Sequence, residues 1–174
     1  VMPDYAADIR ANLESVLGDS VLSEQRLWGA VVAVAVTSGR VAALGELVGR
    51  AERVLSAEAF DAARSAGAVM AMNNVFYRAK HQLADEEYRR LPARLRMRVV
   101  ARPGVDKADF ELWCVAVSAV NGCRVCLELH ERKAREAGAE VAGVHEVLRV
   151  AAVVHAAGVV LAAERDHCAP CSHH

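Results

Sequence analysis

Aromatic side chains and prolines are scarce in this chain. Three Phe, three Tyr and two Trp make up 5% of 174 residues, and there are four Pro. Hydrophobic residues still reach 54%, much of it Ala, Val and Leu. That profile favours helices packed closely through small side chains. A dominant charge is also missing. The net charge is −1, so there is no overall basic field and nucleic acid is not a natural partner. Long apolar runs are absent as well: the most apolar one, Leu27 to Val36, is too short to span a bilayer. The segment before it carries Asp4, Asp8, Glu14, Asp19 and Glu24, which does not suit the basic flank of a secretion signal. The expectation is a cytoplasmic protein with no membrane partner. No segment alternates cleanly with β-branched residues between turn signals, so no strand is expected.

The length suits one domain with a real core. Five cysteines in a cytosolic protein point to redox chemistry or metal binding rather than a disulfide framework.

An amphipathic lead-in helix is expected over 1–21, with Tyr5, Ile9, Leu13 and Leu17 at helical spacing. Ser23 reads as the N-cap of a helix to about Thr37, Ser38-Gly39 as a break, and a second helix follows to about Val54. Ser56 caps the next, which ends near Tyr77 to Leu83. A polar stretch leads to Leu91-Pro92, where a helix begins that stops by Arg102-Pro103-Gly104. Asp106 caps a helix through Val120. Asn121-Gly122 interrupts, and a helix from Cys123 ends at Gly138, with Lys133 and Arg135 suiting its C-terminal dipole. The last long helix spans about Glu140 to Glu164.

The pattern Leu27-Trp28, apolar helix, Ser38-Gly39-Arg40-Val41 returns as Leu112-Trp113, apolar helix, Asn121-Gly122-Cys123-Arg124-Val125. The offset is about 85 residues, with one gap and an inserted cysteine. This predicts a duplicated helical unit in which only the second copy carries cysteines and a glutamate.

The reactive side chains gather in that second copy. Cys123 and Cys126 stand three apart, His130 lies four beyond, and Glu111 lies twelve before Cys123. On a helix from Gly122, both thiols and the imidazole share a face. Helical i and i+3 Cα atoms lie roughly 5 Å apart, a span that a disulfide tolerates. A Cys-x-x-Cys pair near a helix N-terminus has a lowered thiol pKa, and His130 is placed to take the thiol proton. On one unbroken helix Glu111 would sit about 18 Å from Cys123. If the chain reverses at Asn121-Gly122, Glu111 and His130 reach similar depth and the carboxylate can orient the ring.

Glu111, Cys123, Cys126 and His130 at these spacings resemble the alkyl hydroperoxide reductase D family, within the carboxymuconolactone decarboxylase-like superfamily. Further stretches carry the resemblance: Leu27-Trp28-Gly29, Met72 through Arg78, Pro103-Gly104 with Lys107-Ala108, and Phe110-Glu111-Leu112-Trp113. The resemblance implies an all-α, compact helical bundle, a homotrimer, and thiol-based peroxidase chemistry without metal or tightly bound cofactor. It implies that Cys126 attacks peroxide, that Cys123 supplies a proton and then closes the disulfide, and that Glu111 and His130 relay protons. It also implies a dihydrolipoamide-type dithiol as reductant, delivered by a lipoyl-bearing protein, and a peroxiredoxin partner. Well-known members carry a histidine just before the second cysteine; here that position is Val125, and Arg124 beside it is the available positive charge.

The rival from another class is a metal-binding helical module using Cys123, Cys126 and His130, with Glu111 as a fourth ligand. A decarboxylase activity of the wider superfamily has no use for a vicinal dithiol. Cys114 reads as core and His155 as a buried or interface histidine. Asn73-Asn74 reads as a polar pair serving helix packing or a subunit contact. The domain is expected over 1–165, with 166–174, including Cys168 and Cys171, a mobile tail.

Overall fold

A computed structural model describes residues 2–168, with side chains through Asp166. Among these residues there is no strand. A 3-10 turn at Asp4–Ala6 leads into α1 (Ala7–Gly18), followed by α2 (Glu24–Thr37), α3 (Gly45–Val54), α4 (Ala57–Gln82), α5 (Glu87–Arg90), α6 (Arg98–Ala101), α7 (Lys107–Val120), α8 (Arg124–Glu136) and α9 (Val141–Cys168).

Side-chain caps set three of the starts. Ser23 Oγ accepts from the Arg26 amide, Ser56 Oγ from Ala59 and Asp106 Oδ1 from Asp109, each satisfying an amide that the first turn leaves without a helical partner.

The centre is α2 against α7. Leu27 to Ala35 and Ala108 to Ser118 are buried without interruption. Each central helix packs on both long helices, α4 and α9. Small residues allow the close approach: a Cβ on Gly29 would meet the Trp113 ring at 2.1 Å. The Trp113 indole N–H donates to the Arg26 carbonyl at 3.1 Å, tying α7 to the first turn of α2.

The two halves repeat one unit. After α2, Arg40 N–H bonds to Ala35 O and Gly39 N–H to Val36 O, both at 3.1 Å. After α7, Cys123 N–H bonds to Ser118 O at 3.1 Å and Gly122 N–H to Ala119 O at 3.2 Å. This is the same helix-ending motif, and both turns need a left-handed residue, Gly39 at φ 68° and Gly122 at φ 64°. In this register Cys123 stands where the first half has Arg40, so the cysteine is a replacement rather than an insertion.

Two expectations are corrected. The 1–21 helix begins only at Ala7, and Tyr5 is 71% exposed with its hydroxyl on Glu164. The segment 91–102 is helical only over α6. Its apolar residues Ala93, Leu95, Met97 and Val99 fall at every second position and are half-buried, while Arg94, Arg96 and Arg98 are exposed. That period wraps around a helix instead of forming one face. Helix α9 continues through Cys168; the rest of the expected tail lies outside the described residues. Within α9, Val141–Asp166 is long and apolar enough to cross a membrane by length and composition. It packs against α1, α2 and α7.

Candidate active site

The Gly122 turn folds α8 back along α7, and this reversal builds the site. Glu111, one turn into α7, faces His130, in the middle of α8. The imidazole Nδ1 lies 2.6 Å from Glu111 Oε2, and both side chains are almost fully buried. A carboxylate in that position fixes the orientation of the ring.

Cys123 is the N-cap of α8 and Cys126 its third residue. These are the two positions that a capping box links, each side chain there reaching the other residue's backbone N–H; here the side chains face each other instead. The extended backbone of Cys123 lets its sulfur swing back over the first turn. The sulfurs are 2.8 Å apart, and both thiols are free and buried. Cys126 Sγ also points at the Asn73 carbonyl of α4, 3.9 Å away.

Burial pushes the Cys126 thiol up to about 12, with the Cys123 hydrogen bond adding to the rise; a hydrogen bond from Asn74 works in the opposite direction. The lowered thiol expected from the helix N-terminus is therefore not found. Desolvation of the charged form outweighs the partial charge of a single helix end. Arg124 does not offset it: its guanidinium pairs with Glu128 at 2.7 Å and its side chain is 88% exposed. That raised value favours the protonated form of Cys126 at neutral pH. Cys114 is wholly buried with its thiol pushed well above the ordinary value by burial first, then by Glu111. It lies in the core of α7.

The asparagines are closer to the chemistry than their sequence context indicates. Asn74 is fully buried and donates to Ser118 Oγ at 3.2 Å. Asn121 donates to Asn74 Oδ1 at 3.0 Å and to Thr37 Oγ1 at 2.9 Å, and the Arg78 guanidinium donates to the Asn121 carbonyl. This network pins the α7–α8 turn against α4 and α2. Asn73 Oδ1 is buried with no partner among the described residues, and its amide faces the sulfurs of Met70 and Met97. The available signal was two consecutive amides in a helix interior, which must find partners when buried. His155 is half-buried on α9, with its Nδ1 unpartnered and its pKa lowered by burial and by Arg40.

Among the described residues no hydrogen bond joins His130 to either sulfur, and no three His, Cys, Asp or Glu side chains converge as a metal site. The His130 Nδ1 is turned to Glu111 and the sulfurs to each other. The arrangement suits thiol chemistry better than shared coordination of an ion.

The profile of the Carboxymuconolactone decarboxylase family matches residues 86–165. A protein of Streptomyces coelicolor named "Alkyl hydroperoxide reductase AhpD" is 55% identical over 163 residues, covering 94% of this chain and 92% of its own. Proteins of the same name from Frankia alni and Hyphomonas neptunium are 54% and 47% identical, each over 94% of this chain and covering 88% and 91% of their own. On that identity and coverage, the chain belongs to the alkyl hydroperoxide reductase D family, in the wider carboxymuconolactone decarboxylase family.

Proposed function

We propose that this protein is an antioxidant thiol oxidoreductase in which Cys126 and Cys123 cycle between a dithiol and a disulfide. Membership of the family supplies the class, an oxidoreductase of peroxide detoxification. The observation that carries the finer reading is the pair of buried thiols in contact across the first turn of α8.

In this reading the Cys126 sulfur attacks a peroxide oxygen. An S–O bond forms, the O–O bond breaks, and the leaving alkoxide takes a proton and departs as the alcohol. Cys123 then attacks the sulfenic sulfur; the S–S bond forms and water leaves. A dihydrolipoamide-type dithiol on a lipoyl-bearing protein returns two electrons and two protons, becoming a disulfide itself. The regenerated pair can equally pass electrons to the disulfide of a peroxiredoxin partner. His130, oriented by Glu111, is the base that receives the Cys126 proton during attack. A thiol this basic needs such a base, and catalytic contacts that are long in a resting site tighten when substrate is bound. The site is cytoplasmic in this reading and needs no metal.

The homotrimer belongs to the same proposal. Ala68, Met72, Val75 and Ala79 form an exposed apolar stripe along α4 at helical spacing, a surface suited to a second copy.

Thiol counting and peptide mapping before and after peroxide test the reading. Wild type should lose two free thiols, recovered as a Cys123–Cys126 disulfide, and Cys126→Ser should lose none at this site. A disulfide mapped to Cys114 would reject it.

A further inference from the structure

Residues 89–102 contain six arginines and no acidic residue. With −1 for the whole chain, the remainder carries −7. All six are exposed. Arg89 pairs with Glu86 at 3.3 Å, but no carboxylate among the described residues pairs with Arg90, Arg94, Arg96, Arg98 or Arg102. Arg94, Arg96 and Arg98 alternate with half-buried apolar residues, so the inward side chains anchor the segment while these charges line its outer side.

This segment lies beside the thiols. Helix α6 packs on α4. Met97, between Arg96 and Arg98, brings its sulfur to 3.8 Å from the Asn73 side-chain amide, and the Asn73 carbonyl faces Cys126 Sγ. One residue thus separates the inner side of the arginine row from the reactive sulfur. Tyr88 and Leu91 add exposed apolar area at the start of the row, at 48% and 54% exposure. Arginine around exposed aromatic and aliphatic side chains is the composition of a protein-binding patch.

We propose that the row Arg94, Arg96 and Arg98, flanked by Arg90 and Arg102, is the docking surface for an acidic protein that carries the dithiol reductant to Cys123 and Cys126. The inference rests on the thiol-oxidoreductase function above. Opposite charge raises the encounter rate and holds the carrier in register with the pair. The negative remainder of the molecule disfavours an extended anionic surface such as a bilayer, which would face that remainder as well. A compact acidic domain meets the row alone, because charges more than about 8 Å away are screened at physiological salt.

The test measures reduction of the oxidised full-length protein by two dithiols, uncharged free dihydrolipoamide and an acidic domain bearing dihydrolipoyl-lysine. The rate with the domain should fall about tenfold from low to high salt. It should fall to a similar extent at low salt in the triple variant Arg94→Glu, Arg96→Glu, Arg98→Glu, while the triple Arg→Lys variant stays near wild type. The rate with free dihydrolipoamide should be unchanged in every variant, which also reports an intact site. Equal domain rates in wild type and the Glu variant, with both dithiols active, would overturn the docking surface and leave the function standing. Parallel losses with both dithiols would also overturn it. Failure of both dithiols on wild type would overturn the function and the docking together. Arginine-dependent binding to anionic phospholipid vesicles in place of the domain would assign the row to a membrane and reject this proposal.

Discussion

Glu111 and His130 are nineteen positions apart in the chain and 2.6 Å apart in the structure, with neither side chain open to solvent. A buried pair of this kind acts as one group. Glu111→Gln and His130→Gln should each slow peroxide reduction by about 100-fold near neutral pH, the scale of a lost general base. The double variant should cost little more than the worse single one. Strictly additive losses in a double-mutant cycle would mean two separate roles.

The raised Cys126 thiol has a consequence for stability. A folded-state value of about 12, against an ordinary 9.0, means that the native protein keeps a proton which the unfolded chain releases. The stabilisation is complete below pH 9 and is lost as pH rises from 9 toward 12. Urea melts of the reduced protein across that range should show a steeper fall for wild type than for Cys126→Ala.

Asn74 holds two elements of the turn and lowers the Cys126 thiol. Asn74→Ala leaves Asn121 and Ser118 short of a buried partner, at a cost of about 1–3 kcal/mol. It should also slow alkylation of Cys126 at fixed pH. An unchanged alkylation rate alongside lost stability would confine Asn74 to bracing.

The apolar stripe on α4 predicts self-association. Light scattering at micromolar concentration should give a trimer for wild type. Val75→Glu, at a position 60% exposed, should shift the mass toward monomer while leaving the helical spectrum intact.

What the chain discloses about itself divides by distance. The caps at Ser23, Ser56 and Asp106 and the turns at Gly39, Gly122 and Gly138 are contacts within a few residues, so their residue types announce them. The grouping of Cys123, Cys126 and His130 is likewise local spacing. The form of 91–97 was not legible as a helix boundary because it depends on packing against α4, as in the Met97–Asn73 contact. The Asn74–Ser118 and Asn121–Asn74 bonds join residues more than forty apart. The high Cys126 thiol is a product of burial, which no local motif records, and the outward turn of Arg124 follows from its pairing with Glu128.

The placement of the two cysteines at the edge and first turn of one helix also limits what oxidation can do to the rest of the molecule. A bond between them closes a ring of four residues, the shortest crosslink that Cys-x-x-Cys permits. Its effect on the entropy of the unfolded chain is correspondingly small. In the proposed cycle the electron store and the scaffold would therefore be nearly independent: the pair would be charged and discharged while helices α2, α4, α7 and α9 keep one arrangement.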